Sequence, residues 1–212
     1  MKKVPQIILY VFYSCLILFS QKTMSAQQEQ TNQYLSFQKT LVKGKSNLKK
    51  WESAVKYISA KLITCNNNKH HGNTNHDYRD SSVNIDTLTI KIKVKDIISG
   101  NKKMDRLTYK ALRGKEHPYI TFFYSINTLK KYENQKIAGF LTIAGVTKKI
   151  TTPIEFFKIG QTIILKGIQK LDMTDFGVKP PKAFLGVLKT RKMIDIDFML
   201  QFKSNFWVSR EP

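Results

Sequence analysis

Over residues 87–95 apolar and polar side chains alternate without exception: Leu88, Ile90, Ile92 and Val94 interleave with Thr89, Lys91, Lys93 and Lys95. Residues 194–202 repeat the pattern, with Ile194, Ile196, Phe198, Leu200 and Phe202 on one parity and Asp195, Asp197 and Gln201 on the other. A helix cannot gather either apolar set on one face, whereas a strand sends successive side chains to opposite faces. Each segment therefore reads as an amphipathic strand. Leu88, Ile90, Ile92, Val94, Ile196, Phe198 and Leu200 are expected inside, and Lys91, Lys93, Lys95, Asp195 and Asp197 outside. A slip of one residue would exchange the two sets.

Strand patterns recur along the rest of the chain, at 36–43, 51–63, 119–127, 136–143, 149–157 and 162–169, with turn signals at Asn47, Asn127, Gly145 and Gly160. Helix is scarce. One stretch, 102–113, spaces Met104, Leu107, Tyr109, Ala111 and Leu112 helically and is stopped by Gly114 and Pro118. The expectation is an all-β chain of eight antiparallel strands with one short helix. Long amphipathic strands joined by short connections favour closure into a barrel, which removes the unpaired edges. Eight strands enclose just enough room for side chains or one slender ligand. The inward parity is aliphatic and aromatic, so such a lumen suits hydrocarbon and not a sugar or nucleotide.

Residues 1–26 stand apart. Lys2 and Lys3 precede an apolar run from Ile7 to Phe19, interrupted only by Ser14, and small residues follow at Ser25 and Ala26. That is the layout of a cleavable secretory signal peptide, and the run is short for a membrane span. The reading places the protein outside the cytoplasm, periplasmic or extracellular, with residues 27–212 as one domain. Cys15 lies within the apolar run and lacks the flanking pattern of a lipidation signal. Cleavage leaves Cys65 as the single cysteine, so no disulfide forms within one molecule.

Catalytic patterns are missing. Gly44-Lys45-Ser46 imitates the end of a phosphate-binding loop, but Lys39 occupies the place of its first glycine. Neither a Gly-x-Ser-x-Gly elbow nor a His-Glu-x-x-His helix occurs. Asp172 and Asp175 read as turn residues that satisfy backbone amides, and His117, just before Pro118, as a capping or surface residue. The polar segment 64–82 holds His70, His71 and His76 with Asp77, but nothing pre-organises them for a metal. No enzyme activity, cofactor or metal is expected.

Lys+Arg 36 against Asp+Glu 15 gives a formal charge of +21. Lys91, Lys93 and Lys95 face outward from one strand, and Lys102, Lys103, Arg106 and Lys110 sit on the helix that follows. A cationic wall of this kind attracts polyanions or an anionic membrane surface, or else serves as a solvated face that keeps the protein soluble. Nucleic acid is not an expected partner, because the aromatics that would stack on bases point inward. The oligomeric state is not legible.

Several motifs carry a family resemblance: Ser46-Asn47-Leu48-Lys49-Lys50-Trp51-Glu52; Met104-Asp105 with Tyr109-Lys110-Ala111-Leu112; and Pro118-Tyr119-Ile120-Thr121-Phe122. The most specific runs from Gly139 to Lys148, and Thr174-Asp175-Phe176-Gly177 and the stretch 186–190 follow in order. Over residues 36–203 the chain resembles the YceI-like proteins, although Lys49-Lys50 replaces the His-Asp common in that family. The resemblance implies an exported, lipocalin-like barrel whose lumen holds a polyisoprenoid-type chain, with no catalytic residue and no metal. It sets the parity of strand 119–127, aiming Ile120, Phe122, Tyr124 and Ile126 inward. Ile137, Leu141 and Ile143 face the same space, with Gly139 leaving room, and the greasy connection 176–188 forms a flap. The expected lumen set is Leu88, Ile90, Ile92, Ile120, Phe122, Tyr124, Leu141, Ile143, Phe176, Phe184, Ile196, Phe198 and Leu200. The expected function is an exported carrier or sensor of a long apolar lipid. The alternative is a non-catalytic structural or binding protein with a filled barrel, whose basic surface associates with acidic envelope polymers.

Overall fold

The computed structural model describes residues 30–65, 83–129, 135–183 and 187–204. The expected leader 1–26, His70, His71, His76 and Asp77, and Phe184 lie outside them. In chain order the elements are β1 (Gln30–Ser46), β2 (Lys50–Val55), β3 (Ser59–Cys65), β4 (Val83–Lys93), β5 (Ile97–Ile98), α1 (Lys102–Ala111), β6 (Tyr119–Leu129), β7 (Gln135–Ile143), β8 (Val146–Ile159), β9 (Thr162–Asp172), β10 (Lys182–Ala183) and β11 (Leu188–Ser204).

Strands β11, β9, β8, β7, β6, β4, β3 and β1 pair in that order, and β1 pairs back onto β11. The result is a closed antiparallel barrel of eight strands with one helix. Three short strands lie outside the ring: β2 on the second half of β1, β5 on β2, and β10 on β11.

The ring closes, but its ladders are uneven: β6 and β7 pair only over Thr121–Phe123. The β8–β9 pairing runs from Ile159↔Thr162 to Glu155↔Lys166 and stops there. Two residues further along β8 comes Pro153, which has no N–H to donate.

The strand expected over 51–63 is interrupted. Lys56 N–H donates to the Asp96 carbonyl at 2.8 Å, and the Gln38 amide donates to the carbonyls of Val55 and Lys56. These bonds satisfy backbone groups that would otherwise sit in a ladder. They also join the break between β2 and β3 to the break between β4 and β5, where Val94–Asp96 forms a 3-10 turn. Asn127, expected at a turn, instead lies within β6 opposite Ile85.

Other joints follow local chemistry. Ala144 and Gly145, with φ of 51° and 82°, form the two-residue turn between β7 and β8. Positive φ at both central positions is what the right-handed strand twist requires of a hairpin so short. The His117 ring packs over Gly145, and the Arg113 guanidinium donates to the Ala144 carbonyl, clamping the α1–β6 connection onto this hairpin. Asn101 caps α1 by accepting from the N–H groups of Lys103 and Met104.

Alternation along β4 and β11 has the expected register. Leu88, Val94 and Leu200 are buried, Ile90, Ile92, Ile196 and Phe198 are half-buried, and Lys91, Lys93 and Lys95 are exposed. Asp195 and Asp197 are part-exposed, and Asp197 pairs with Lys43 at 2.6 Å. The barrel is filled from one end. Leu62, Ile85, Tyr124, Phe156, Ile163 and Phe202 are each 3% exposed or less and pack into a single core. Toward the other end Val42, Ile92, Ile120, Ile194 and Ile196 are only half-buried, while Ile143, Leu171, Met173, Phe176 and Val178 are buried.

That open end is held by the joint between β9 and its following 3-10 turn, Met173–Phe176. Asp172 accepts from the Thr174 N–H at 3.0 Å and its hydroxyl at 2.6 Å, and pairs with Lys192 at 2.7 Å. The Lys192 ammonium and the Thr174 hydroxyl hold the Asp172 carboxyl down to about 2 from an ordinary 3.8. A depressed carboxylate stabilises the folded state above its unfolded pKa, and the contribution vanishes as pH falls through the folded value. Asp172→Asn, which keeps a side-chain acceptor for Thr174, should therefore melt below the wild type at pH 7. The gap should close as pH falls from about 4 to about 2, a trend measurable by thermal unfolding across that range.

Candidate lumen site

The half-filled barrel leaves two stacked chambers. The larger, about 870 Å³, lies at the open end, and the smaller, about 110 Å³, lies between it and the packed core. Thr40, Ile92, Ile120 and Ile196 line both and form the neck between them. A volume of this order falls in the range of sites that take a small organic ligand.

The upper chamber has aliphatic walls from Val42, Ile143, Leu171 and Ile194, with Met173, Phe176 and Val178 at one side. Helix α1 lies across it as a roof. Met104, Leu107, Thr108, Ala111 and Leu112 recur at the spacing of one helix face and all border the chamber. No residue of α1 is fully buried, because its apolar stripe looks onto the chamber and not onto packed side chains. The helix is amphipathic toward a space.

Trp51 closes the wall at β2. Its ring lies over Gly44, where a Cβ would collide with the indole. Gly139 has the same relation to Phe122: a Cβ there would come within 2.5 Å of the ring. These glycines let aromatic rings lie flat against the wall, so that ring and cavity fit side by side.

Polar residues interrupt the apolar lining, among them Ser53 and Thr108 above and Thr152 below. Thr40 Oγ1 at the neck, Gln169 Oε1 in the lower chamber and the Trp51 Nε1–H are buried and have no partner among the described residues. At the mouth the chemistry changes. Lys49, Lys50, Lys103 and Lys182 are exposed and border the upper chamber, with Glu52 as the carboxylate among them.

The residues expected to line the lumen are distributed through this space. Ile143 and Phe176 face the upper chamber, while Leu88, Ile90, Phe122, Leu141, Phe198 and Leu200 face the lower one. Ile92, Ile120 and Ile196 face both. Tyr124 instead belongs to the packed end, 1% exposed and bordering neither chamber. Of the expected flap, Val178, Pro181 and Lys182 border the upper chamber and Phe176 is buried against it. Thr40, Val42, Trp51, Leu171 and the α1 stripe were not anticipated. The α1 stripe had a visible signal in its helical spacing. Val42 had a poor one, because adjacent Leu41 and Val42 blur the period of two.

The two turn carboxylates have different partners: Asp172 has Lys192 and Thr174, and Asp175 has Lys148 at 3.8 Å. Among the described residues no three His, Cys, Asp or Glu side chains gather where a metal could bind.

A family model described as YceI-like domain matches residues 39–203. No curated protein sequence matches the chain. Several solved structures share the fold, two of them as follows. BcnA of Burkholderia cenocepacia is 18% identical, with a TM-score of 0.58 over 77% of this chain and 95% of that one. A polyisoprenoid binding domain from Saccharophagus degradans, implicated in plant cell wall breakdown, is 10% identical, with a TM-score of 0.57 over 84% of this chain and 99% of that one.

Trp51 is placed to report on the upper chamber. In a Trp207→Phe background, titration with farnesol should change Trp51 emission as the probe displaces water beside the indole. Gly44→Val, which pushes the ring from its seat, should remove that response while the far-ultraviolet β signal persists.

Proposed function

The chain belongs to the YceI-like family, matched over residues 39–203, and from that premise we propose that it holds a long apolar lipid, of the polyisoprenoid type, in the barrel lumen as a carrier or sensor. One observation carries the reading: the amphipathic helix α1 and the largely apolar walls surround about 870 Å³ that side chains do not fill. Side chains in protein interiors pack to crystal-like density, and a large apolar void costs stability. A hydrocarbon chain satisfies such walls without directional bonds, gaining about 0.8 kcal/mol per buried methylene.

The Saccharophagus degradans domain, described as binding polyisoprenoid, supports the same ligand class. The ligand enters by the upper chamber, and the neck admits only its tip to the small lower one. No catalytic role is assigned. The aromatic packing of Tyr124, Phe156 and Phe202 favours the filled-barrel alternative only for the closed half. We also read residues 1–26 as a cleaved leader, which puts the lipid-binding domain outside the cytoplasm.

Organic extraction of natively purified protein followed by mass spectrometry tests the proposal. The wild type should release a stoichiometric apolar molecule. Ile196→Trp at the neck and Leu141→Trp below it should each retain markedly less while still folding. An empty wild-type barrel, or full retention by both variants, would sink the lumen reading. The N-terminal residue of the exported protein, read by intact mass, checks the leader.

A further inference from the structure

The lysines at the mouth have apolar neighbours. The β1–β2 turn presents Leu48 at 67% exposure, and the turn entering β11 presents Val187 at 64%. They are among the most exposed aliphatic side chains of the described residues, and the backbone holds them together. The Asn47 side-chain amide donates to the Val187 carbonyl at 2.9 Å and accepts from the Lys189 N–H at 2.8 Å. The Asn47 N–H donates to the Lys189 carbonyl at 3.0 Å. Two turns distant in sequence thus form one stitched tip beside the chamber mouth. Neither Leu48 nor Val187 borders the chamber itself.

Around this tip stand Lys45, Lys49, Lys50, Lys182 and Lys189, all exposed, with Glu52 the acidic neighbour on the same hairpin. Exposed aliphatic side chains set in a ring of lysines have the composition of an interfacial anchor: apolar atoms enter the acyl boundary while ammonium groups meet anionic headgroups. Charge complementarity selects the partner, since the whole chain is cationic and its mouth more so.

We propose that the stitched tip formed by Leu48 and Val187, with its surrounding lysines, docks the open end of the barrel onto an anionic lipid bilayer. The chamber mouth then faces the surface. This goes beyond the lumen reading and can fail independently of it.

The geometry supplies its own control. Ile159, 66% exposed, and Lys158 stand at the β8–β9 turn, and Lys203 is paired with Thr162 at the same end. Ser46, beside the tip, is paired with Thr190 at the opposite end of β11. Thirteen residues of strand at about 3.3 Å each separate Thr190 from Lys203. The two ends cannot touch one bilayer together.

Vesicle flotation tests the docking, using phosphatidylcholine with one quarter phosphatidylglycerol, and phosphatidylcholine alone. The wild type should partition onto the anionic vesicles and not the neutral ones. Leu48→Ser with Val187→Ser should lower partitioning about tenfold while the extractable lipid content stays unchanged. Lys49→Glu with Lys50→Glu should lower it by about tenfold or more. The far-end control, Lys158→Glu with Lys203→Glu, should change it less than about twofold, since those charges lie well beyond one Debye length.

Equal loss at both ends, or no loss with Leu48→Ser and Val187→Ser, would mean unoriented adsorption of a basic surface and overturn the proposal. Capture by soluble polyglutamate without vesicle binding would assign the tip to acidic polymers and overturn it as well. If docking persists in a protein that carries no extractable lipid, the docking inference stands and the lumen reading falls.

Discussion

Everything in this molecule hangs on the pairing of β1 with β11, two strands of 17 residues that lie near opposite ends of the chain. Their register runs from Gln33↔Ser204 to Ser46↔Thr190, with shifts between Leu35 and Phe37 and between Gly44 and Ser46. Without this seam the other strands form an open sheet with two long edges and no interior. With it they enclose a lumen. The Lys43–Asp197 ion pair across the seam is 40% and 39% exposed, so solvent screens it and the backbone ladder does most of the holding. The shifts bend β1, whose first half pairs with β3 and whose second half pairs with β2. One strand thereby belongs to both the barrel wall and the wall of the chamber.

From closure follows the division of the interior. Strands tilt around a barrel axis, so each inward side chain belongs to a level as well as a face. At the closed end the levels carry Tyr124, Phe156 and Phe202, which meet across the lumen and fill it. At the open end they carry Val42, Ile92, Ile120 and Ile196, which do not reach across. Helix α1 can roof that end because β4 stops at Lys93 and the chain turns out through Val94–Asp96. The same break, tied to Lys56 through the Asp96 carbonyl, lets β2 leave the ring and bring Trp51 to the chamber wall.

Much of the fold was legible residue by residue. All eight barrel strands fall on segments that read as strands, and the inward parity of Leu88 to Val94 and of Ile196 to Leu200 is the observed one. The reading faltered where tertiary bonds outvoted local pattern. The interruption at 56–58 depends on carbonyls answered by Gln38 and Asp96, which are remote in sequence. Asn127 continues a strand because β4 supplies a partner at Ile85. Tyr124 shares the inward parity of Phe122 yet belongs to the plug, since parity gives the face and not the level. The mouth was legible only as an excess of lysine, because Lys49, Lys103 and Lys182 come from three separate elements.

What the amino-acid sequence settles by itself is local: which segments are strand-like, which side of the clearest ones is apolar, that 102–113 holds a helix, and that the chain is strongly cationic. Those properties follow from side-chain alternation, helical spacing and charge, which need no distant partner. The tertiary structure alone decides which inward residues meet each other and which face a void. That outcome depends on shear, on the bends of β1 and on the breaks after Val55 and Lys93, each set by hydrogen bonds between segments far apart in the chain. A lining is a property of opposing walls, and no single strand contains both.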